Sequence, residues 1–551
     1  MTFLYGSSMK YKNQILKFLG STILVGEDFQ IESLFLDSRK CDDKSAFIAL
    51  KGQTTDGNKY IDNVLAKGVK LVLSDNLSLN YLSSYNPEPV TELSRSAGSH
   101  NKEYTLYKLD SGSESGMATI ICIKDLKDKL PTLAKWFYDY KKPQNIIGIT
   151  GTNGKTSISS YIAQLQKMLG QKSLLLGTNG NGIYPDLQES THTTLDILSL
   201  YQTISYYKNY QNLVMEVSSH SLDQKRVAGL DFDIAVFSNL SHDHLDYHKT
   251  MENYFEVKAK LFQFSSLKKA VINIDDEYGQ KLCENIKKPS FHSPVERGAG
   301  RRGMVAPTTE SIDIITVSLK STNADVYINV KNIHNMQTSF DLYIFQKLIG
   351  TYQTSLVGEF NLMNLGLSLA ALDGYIAREQ LLANIASIKP VKGRMEIIEL
   401  ANNAKIIIDY AHTPDALEKA LQTLKRYSKS NLWCIFGCGG DRDATKRPKM
   451  AQIAEKYADK VIVTEDNNRF ENIENIFSGI KKGFSNPEKH TFITSREKAI
   501  RYCIENTSQG DIILLAGKGH ECYLDKNGVK EYFDEREIIK NYAGLFFEYS
   551  K

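Results

Sequence analysis

The stretch TGTNGKTS, residues 150–157, lies between two apolar segments of different periodicity. The short apolar run 146–149 before it is typical of a buried strand, and the apolar residues of 158–169 after it recur at helical spacing. A glycine-rich turn between a strand and a helix directs backbone N–H groups and the positive end of the helix at an anion. The pattern therefore predicts a nucleoside triphosphate site, in which Lys155 reaches the β- and γ-phosphates and Thr156 binds a magnesium ion.

The spacing of this motif departs from the commonest phosphate-binding loop. In G-x-x-x-x-G-K-[ST] the first glycine would stand where this chain has Ile149, and Gly148 comes one residue too early. An ordinary glycine-containing turn is the alternative interpretation. Because two glycines, Lys155 and Thr156 follow a strand together, the nucleotide site is favoured.

Length and composition limit the classes of protein to consider. A chain of 551 residues is too long for one core, and three domains are expected. The net charge of +3 does not favour nucleic acid or an anionic membrane as a partner. Seven scattered cysteines lack metal-ligand spacing, and the sequence shows neither a clean signal peptide nor an apolar run of about 18 residues. We expect a cytoplasmic protein without a membrane span.

The first predicted domain covers residues 1–143 and has a small α/β pattern. FIAL (47–50) and KLVLS (70–74) read as buried strands, and 56–68 as a helix that ends at Gly68. The polar, Ser- and Gly-rich stretch 86–116 reads as a surface insertion or flexible loop.

Two further α/β domains are predicted at 144–390 and 391–551, where strands and helices alternate. The central domain should contain a mostly parallel, doubly wound sheet, with a basic inserted loop at about 293–311. Its strands are predicted at 146–149, 213–218, 234–240 and 270–275. The last domain should be similar to a dinucleotide-binding fold, with strands at 405–411, 432–437, 460–466 and 511–517.

Side chains suited to magnesium chemistry follow the central strands. Glu216 ends an apolar run, where ligands gather in open α/β sheets, although a strand-end surface charge is the alternative. SHDHLDYH (241–248) packs three histidines and two aspartates into eight residues, in a spacing that fits magnesium better than zinc. Lys258 lies on a predicted helix, 254–262, and composition alone reads it as solvated.

The loops after the strands of the last domain mix both charge signs. Such a mixture suits a zwitterion, since arginine binds a carboxylate in bidentate fashion and acidic groups bind an ammonium. Local salt bridges are an equally good interpretation of the spacing. The residues are Asp441, Arg442, Asp443, Asp466, Asn467, Arg469, Glu471, Gly517 and Glu521.

With these motifs in this order, the chain resembles the Mur ligases of peptidoglycan synthesis, and among them those that add the third residue of the peptide. The resemblance runs nearly from end to end, except for the two insertions. It rests on LDSR (36–39), TGTNGKTS, MEVSSHSLDQKRV (215–227), NLSHDHLDYH (239–248), the YxxxK helix, GEFNLMN (358–364), KGRMEII (392–398), DYAHTPDAL (409–417), GCGGDRDATKRP (437–448), TEDNNRFE (464–471) and AGKGHE (516–521).

The resemblance implies a role for each matching residue. ATP would contact Gly151, Thr152, Asn153, Gly154, Lys155, Thr156, Ser157, Asn361, Asn364, Arg394 and Asp409. Thr156 and Glu216 would bind one Mg²⁺, and a second would be bound by His244 and by Lys258 as a carbamate (N6-carboxylysine). The catalytic residues would be Lys155, Glu216, His244 and Lys258. The UDP-muramoyl-dipeptide would contact Ser38, Thr193, Thr194, Ser218, Gln224 and Arg226.

The incoming amino acid would be meso-diaminopimelate. The resemblance assigns its pocket to Arg442, Asp466, Asn467, Arg469, Gly517 and Glu521, and an arginine at 469 goes with the second carboxylate of this substrate. Asn468 stands where the family usually has proline, and Leu195 follows the two threonines in place of proline. L-Lysine therefore stays open as an alternative substrate.

The implied reaction is carboxylate activation by ATP followed by amide formation. The γ-phosphate passes to the D-glutamate carboxylate of the dipeptide, and the amine attacks the acyl phosphate, helped by either His220 or His248. ATP and Mg²⁺ are the implied cofactors, and a monomer is expected. A folylpolyglutamate synthetase-like ligase and a non-catalytic nucleotide-binding scaffold are the alternatives.

Overall fold

The structure of the protein is a computed structural model. It describes residues 9–20, 27–52, 55–76, 117–190, 192–288, 291, 311–334 and 336–543, and the strands at 88–89 and 104–110. The chain forms two compact units, the first from 1–144, 194–211 and 220–231, and the second from 145–193, 212–219 and 232–551. In the described part of the chain, no helix combines the length and the apolarity needed to cross a membrane.

The first unit is built on a six-stranded sheet. Its first four strands are parallel and its last two are antiparallel. In spatial order they are Ser33–Phe35, Ser45–Ala49, Leu71–Ser74, Met117–Ile123, Tyr104–Asp110 and Glu88–Pro89. A two-stranded pair, Lys10–Tyr11 with Gln30–Ile31, lies apart from this sheet.

The first unit also contains helices. They are Lys12–Phe18, Ile61–Leu65, Leu126–Phe137, Ile197–Tyr206 and most of Ser219–Asp223, with a 3₁₀ turn at Gly57–Tyr60. The predicted strands at 47–50 and 70–74 are confirmed within a residue or two. The stretch 86–116 is not simply a loop, because it contributes the two antiparallel strands; its remaining residues lie outside the described part, as do 293–310 of the second predicted insertion.

The second unit contains a ten-stranded sheet whose second to eighth strands run parallel. The prediction of a mostly parallel sheet is confirmed. In spatial order the strands are Gly180–Ile183, Ser173–Gly177, Asn212–Glu216, Asn145–Thr150, Ile234–Phe237, Lys269–Asn273, Asp313–Ser318, Val326–His334, Gln337–Ile344 and Lys347–Thr354.

The last three strands of this sheet form an antiparallel extension that the sequence analysis did not predict. These strands were not predicted because buried and less buried residues largely alternate along Gln337–Ile344, as in a sheet with one covered face, so the strand has no continuous apolar run. The other helical elements of this part are Lys155–Met168, Leu245–His248, Met251–Ala259, Glu277–Ile286, Glu359–Leu372 and Arg378–Ala383, with 3₁₀ turns at Lys260–Gln263 and Ile385–Ser387. Glu359–Leu372 is apolar nearly all round and is buried between the sheet and the helix Lys155–Met168.

The same unit contains a second sheet of six strands, all parallel except the first. They are Glu396–Glu399, Lys405–Asp409, Ile512–Ala516, Leu432–Phe436, Lys460–Val463 and Thr491–Phe492, followed by the hairpin Tyr523–Lys526 and Val529–Tyr532. Its helices are Pro414–Tyr427, Lys446–Tyr457, Ile473–Lys481, Arg496–Asn506 and Glu535–Ala543, with a 3₁₀ turn at Pro487–Lys489. The four strands predicted here are confirmed, each ending before its polar loop.

Candidate active site

The glycine-rich loop follows the strand Asn145–Thr150 and ends at the helix Lys155–Met168. Gly151 has φ +143° and Gly154 has φ +88°, which side-chain-bearing residues rarely adopt. A Cβ on Gly151 would lie 1.9 Å from Ser238 Oγ, and one on Gly154 would lie 2.5 Å from Asn364 Oδ1. Both positions therefore need glycine, and the predicted strand, turn and helix are present.

The pairing of strands brings Glu216 to this loop. Glu216 pairs with Ile149, so its strand ends beside the loop. The carboxylate of Glu216 accepts hydrogen bonds from Thr156 Oγ1 at 3.0 Å and from the Thr178 N–H at 2.8 Å and hydroxyl at 3.0 Å. Because Glu216 is only 1% exposed, the alternative of a strand-end surface charge is wrong.

Lys155 folds back over the glycine-rich loop. Its Nζ donates to the carbonyl oxygens of Gly151 and Thr152, both at 2.9 Å. Burial lowers the pKa of Lys155, while Glu216 and Asp243 act in the opposite direction. A phosphate group can compete for this ammonium, because a charged acceptor forms the stronger hydrogen bond.

Lys258 is buried, contrary to the expectation from composition. Its side chain is 1% exposed, and Nζ donates to Gly151 O at 2.8 Å and lies 4.7 Å from the centre of the Tyr254 ring. Burial, and then the positive charge of Lys155, lowers the pKa of Lys258 well below its ordinary value. A lysine in this environment is readily neutral, which carbamate formation requires.

The oxygen donors at this point suit a hard cation. The Thr156 hydroxyl and the Glu216 carboxylate lie in direct contact, and both are ligand types that Mg²⁺ accepts. Within the described residues, no group of three or more His, Cys, Asp or Glu side chains is arranged to hold a metal alone. These residues thus fit an ion that completes its coordination with water and phosphate oxygens, as Mg²⁺ usually does.

The histidines of SHDHLDYH have different environments. His244, at φ +54°, lies 3.4 Å from Asp243 with about half of its side chain exposed. His248 is buried, hydrogen-bonded to Ser219 Oγ at 2.9 Å and stacked on Tyr254. His220 belongs to the first unit. The structure thus leaves His244 accessible to solvent, whereas His248 packs in the interior.

The glycine-rich loop also contacts the part of the unit that carries the second sheet. Arg394 Nη2 donates to Thr156 Oγ1 at 3.3 Å, and Asn153 Nδ2 donates to Asp415 Oδ2 at 3.4 Å. The guanidinium of Arg394 stacks on Tyr410, with 4.6 Å to the ring centre. These contacts connect the phosphate loop to the segment before the strand Glu396–Glu399 and to the helix Pro414–Tyr427.

The other residues predicted to border ATP lie around this junction. Asp409 accepts from the Met395 and Ala411 N–H groups, and burial raises its pKa while Arg394 lowers it. Asn361 is buried and donates to Val357 O at 2.9 Å. Asn364 is the asparagine that faces the glycine-rich loop, because its Oδ1 lies next to Gly154. Asn361 orients Asn364 by accepting a hydrogen bond from its Nδ2 at 3.3 Å.

A cluster of charges follows the strands Lys460–Val463 and Ile512–Ala516. Lys518 Nζ donates to Glu521 Oε2 at 2.7 Å and to Asn467 Oδ1 at 3.0 Å, and it lies 3.7 Å from Asp466 Oδ1. Asn467 Nδ2 also donates to Glu521 at 2.9 Å. Three of the predicted amino-acid-binding residues are thus in one network. At its centre is Lys518, which lies within the AGKGHE motif and was not among the predicted site residues.

The remaining residues of the predicted pocket surround this network. Gly517, at φ +112°, lies so close that a Cβ would be 2.9 Å from Asp466 Oδ2. Arg469, at φ +52°, donates from Nη1 to Gly440 O at 2.7 Å. Arg442 is exposed. Glu471 instead forms a two-bond ion pair with Arg447, so for this residue the salt-bridge interpretation is correct.

In the first unit, three of the predicted dipeptide-binding residues are neighbours. Arg226 Nη1 donates to Thr194 O at 3.1 Å, and Arg226 Nε donates to Gln224 Oε1 at 2.9 Å. Ser38 lies elsewhere in this unit, where its carbonyl accepts from Lys67 Nζ at 2.8 Å.

The other two, Thr193 and Ser218, belong to the second unit. Thr193 contacts the Thr178 hydroxyl at 3.2 Å. Thr178, which also holds Glu216, was missed in the sequence, although its place after a strand end was a usable signal.

Comparison with known proteins supplies three matches to family models. The Mur ligase middle domain matches residues 149–372. The glutamate ligase domain of Mur ligases matches 393–519. The Mur ligase family catalytic domain matches 30–98.

Individual relatives match over nearly the whole chain. The UDP-N-acetylmuramoyl-L-alanyl-D-glutamate–2,6-diaminopimelate ligase of Haemophilus influenzae is 37% identical over 528 residues, which cover 94% of this chain and 96% of the relative. The ligase of that name from Pseudomonas aeruginosa is 38% identical over 514 residues, or 93% and 94% of the two chains. A solved structure of a ligase with this name is 34% identical, with a TM-score of 0.61 and coverage of 96% and 98%.

Proposed function

Because this chain belongs to the Mur ligase family, we propose that it uses ATP to join 2,6-diaminopimelate to UDP-N-acetylmuramoyl-L-alanyl-D-glutamate. The resulting amide links the D-glutamate carboxylate to one amine of meso-diaminopimelate. Such a reaction adds the third residue of the peptidoglycan peptide.

One observation carries this proposal: the phosphate loop and the charged pocket occur in one compact unit and are linked through two residues. Arg394 contacts Thr156 of the loop and stacks on Tyr410, and Tyr410 donates to Glu521 of the pocket. A ligase of this type must activate a carboxylate with a phosphate and present an amine to it. The Lys155–Thr156–Glu216 group suits the first task, and the Asp466–Asn467–Glu521 group suits the second.

ATP is the proposed phosphate donor. Lys155 would leave its two carbonyl acceptors for phosphate oxygens, and the N–H groups at the start of the helix would bind further oxygens. Asn364, Arg394 and Asp409 would border the rest of the nucleotide. Mg²⁺, held by Thr156 and Glu216, and a second ion held by His244 and carbamylated Lys258, would neutralise charge on the transferring phosphoryl group.

The γ-phosphoryl group would pass to the D-glutamate carboxylate, and the amine would then displace phosphate from the acyl phosphate. Lys155 stabilises the negative charge that develops in the first step. The attacking amine must lose a proton, which an imidazole can take up. His248 Nε2 forms a hydrogen bond with Ser219 Oγ. His220 and His248 both remain candidates for this proton transfer.

Diaminopimelate is the proposed acceptor because of Arg469. A guanidinium binds a carboxylate through two parallel hydrogen bonds. Diaminopimelate carries a second carboxylate, which lysine lacks. Arg469 uses Nη1 on a backbone carbonyl, which leaves further N–H donors on its guanidinium. L-Lysine is the alternative acceptor.

The remaining proposals concern organisation. We propose domains 1–143, 144–390 and 391–551, with Ser38, Thr193, Thr194, Ser218, Gln224 and Arg226 contacting the UDP-muramoyl-dipeptide. The protein would act as a monomer in the cytoplasm on small-molecule substrates.

The test is an acceptor panel with purified protein, ATP, Mg²⁺ and the UDP-muramoyl-dipeptide. Phosphate release and the mass of the product are measured with meso-diaminopimelate, L-lysine, L-glutamate or no acceptor. We expect phosphate release with diaminopimelate and with none of the other acceptors. Release with lysine but not diaminopimelate would overturn the substrate, turnover with a folate and glutamate would favour the folylpolyglutamate alternative, and no turnover with any acceptor would favour a scaffold.

A further inference from the structure

Lys518 is a fully buried cation at the centre of the proposed amino-acid pocket. Its side chain is 0% exposed, and its ammonium contacts Asn467 and Glu521 directly and Asp466 at 3.7 Å. Its third side faces the ring of Tyr523, with 4.9 Å to the ring centre. Protein groups thus surround this ammonium, and two of its three N–H donors are used in hydrogen bonds to Asn467 and Glu521.

The geometry of Asn467 depends on this lysine. Asn467 Oδ1 accepts from Lys518 Nζ and from the Asp525 N–H at 2.9 Å, so the amide nitrogen must point the other way, to Glu521. Glu521 Oε2 accepts hydrogen bonds from both Lys518 and Asn467, and Glu521 Oε1 accepts one from the Tyr410 hydroxyl at 3.4 Å. Lys518 thus fixes the rotamers of two residues that face the pocket.

The charges around Lys518 do not balance. Two carboxylates, Asp466 and Glu521, lie around one ammonium. The nearby Arg496 is paired with Glu535, so the cluster keeps one net negative charge in a largely buried place. An unpaired buried charge is costly, and a cationic ligand group relieves that cost. Without the lysine, Asp466 would lose the cation that most lowers its pKa, and the two carboxylates would repel each other.

We propose that Lys518 is the positioning residue of the amino-acid pocket: it holds Asp466, Asn467 and Glu521 in place and leaves one negative charge for a single ammonium group of the incoming amino acid. This inference rests on the proposed function and deepens it. A purely structural role fits the cluster poorly, because buried ion pairs seldom stabilise a fold more than apolar residues of similar size do.

The charged surroundings of Asp466 support this assignment. Burial raises the pKa of Asp466, but Lys518, Arg496 and the other neighbours outweigh it and hold the pKa below its ordinary value. Loss of Lys518 removes the nearest cation. The titratable and charged groups that face Asp466 are Lys518, Arg496, His412, Tyr410 and Tyr523.

The test compares the full-length enzyme with Lys518→Met, Lys518→Arg and the control Lys405→Met. Lys405 lies on the same sheet, is paired with Glu399, and does not touch the pocket. KM is measured for each of the three substrates in turn at saturating levels of the other two. We expect Lys518→Met to raise the KM for diaminopimelate about 10- to 100-fold, as loss of charged hydrogen bonds does, with KM for ATP unchanged.

The pH profile separates positioning from a structural role. In Lys518→Met the KM for diaminopimelate should rise further as the pH falls from about 8 to about 6, because Asp466, without its nearest cation, then takes up a proton. Lys518→Arg should restore part of the affinity and the flat profile, since it keeps the charge. Lys405→Met should behave as the unaltered enzyme.

Two results would overturn the inference. One is an unchanged KM for the amino acid in Lys518→Met. The other is an equal rise in KM for all three substrates, together with a lowered unfolding temperature, that Lys518→Arg does not reverse. If the unaltered enzyme accepts an amino acid other than diaminopimelate, the proposed substrate is wrong, and the same comparison is made with that amino acid. If Lys518→Met does not fold, Lys518→Gln replaces it.

Discussion

At the scale of single residues, Lys258 differs most from what its sequence context suggests. It lies on a helix beside another lysine, yet it is buried, and its ammonium rests on Gly151 O of the phosphate loop. Burying an unpaired cation costs free energy unless the group gives up its charge. The depressed pKa of Lys258 therefore favours reaction with carbon dioxide, which needs the neutral amine.

We predict that Lys258→Ala abolishes most ligase activity, with a fall in kcat of about 100-fold or more, because an anionic metal ligand is lost. Added acetate or another short carboxylic acid should restore part of the activity by occupying the vacated space. The measurement is phosphate release with and without the acid. The nearby Lys260→Ala, on an exposed side chain, serves as the control. Full activity of Lys258→Ala without any acid would show that the carbamate role is wrong.

Arg469 is the residue on which acceptor choice depends. Arg469→Met keeps the length of the side chain and removes its charge, so the distal carboxylate of diaminopimelate loses its partner. We expect the KM for diaminopimelate to rise about 10- to 100-fold, the usual effect of losing a charge-assisted pair. Because lysine has no such carboxylate, the variant should bind lysine no more weakly than the unaltered enzyme does. Equal losses for both acceptors would contradict the assignment.

At the scale of the secondary-structure elements, the strand–turn–helix around residues 145–168 depends on its glycines. Gly154 combines a positive φ with close contact to Asn364, whereas Gly170, just after the same helix, has φ +74° and nothing within 4 Å of the position that a Cβ would take. The two glycines thus share a left-handed backbone conformation but differ in the space around them.

This difference gives a matched pair of variants. Both Gly154→Ala and Gly170→Ala should lose about 1 kcal/mol of stability from the left-handed backbone conformation. Only Gly154→Ala should also weaken ADP binding, by about 10-fold or more, since its methyl group displaces Asn364 and the first N–H groups of the helix. Calorimetric titration with Mg–ADP measures this. Equal ADP affinity of the two variants would mean that the loop does not bind the phosphates.

At the scale of the whole molecule, Asp511 connects several parts of the second sheet. Its carboxylate accepts from Ser430 Oγ at 2.7 Å, Trp433 Nε1 at 2.9 Å and the backbone N–H groups of Asn431 and Ser508 at 3.0 Å. Burial raises the pKa of Asp511, but these hydrogen bonds outweigh it and lower the pKa to about 2.

A carboxyl whose folded pKa is depressed stabilises the fold above its unfolded pKa and loses that contribution as the pH falls through the folded value. Asp511 should therefore contribute about 2 kcal/mol at neutral pH, lost between about pH 4 and about pH 2. Asp511→Asn should lower the free energy of unfolding at pH 7 and flatten its fall in acid, as followed by urea titration at several pH values. The exposed Asp186→Asn is the control; an unchanged acid profile in Asp511→Asn would refute this account.

Much of the fold could be predicted because local patterns carry it. Apolar runs that end in polar loops locate the parallel strands, and the glycine-rich turn locates the first helix of the central part. The antiparallel meander at 326–354 was not predicted, since its half-exposed strands lack a continuous apolar run. The grouping of 194–211 and 220–231 with the first 144 residues depends on contacts distant in sequence.

The sequence by itself determined the chemistry that this protein can offer: a phosphate loop, acidic and histidine-rich strand ends, and loops of mixed charge, in the order of a Mur ligase. Only the tertiary structure decided which of these groups are buried and what they touch. Strand pairing brings Glu216 to Thr156, and packing buries Lys258 and Lys518. The physical reason is that the pKa, hydrogen bonds and solvation of a side chain depend on neighbours far away in the chain, which no local pattern specifies.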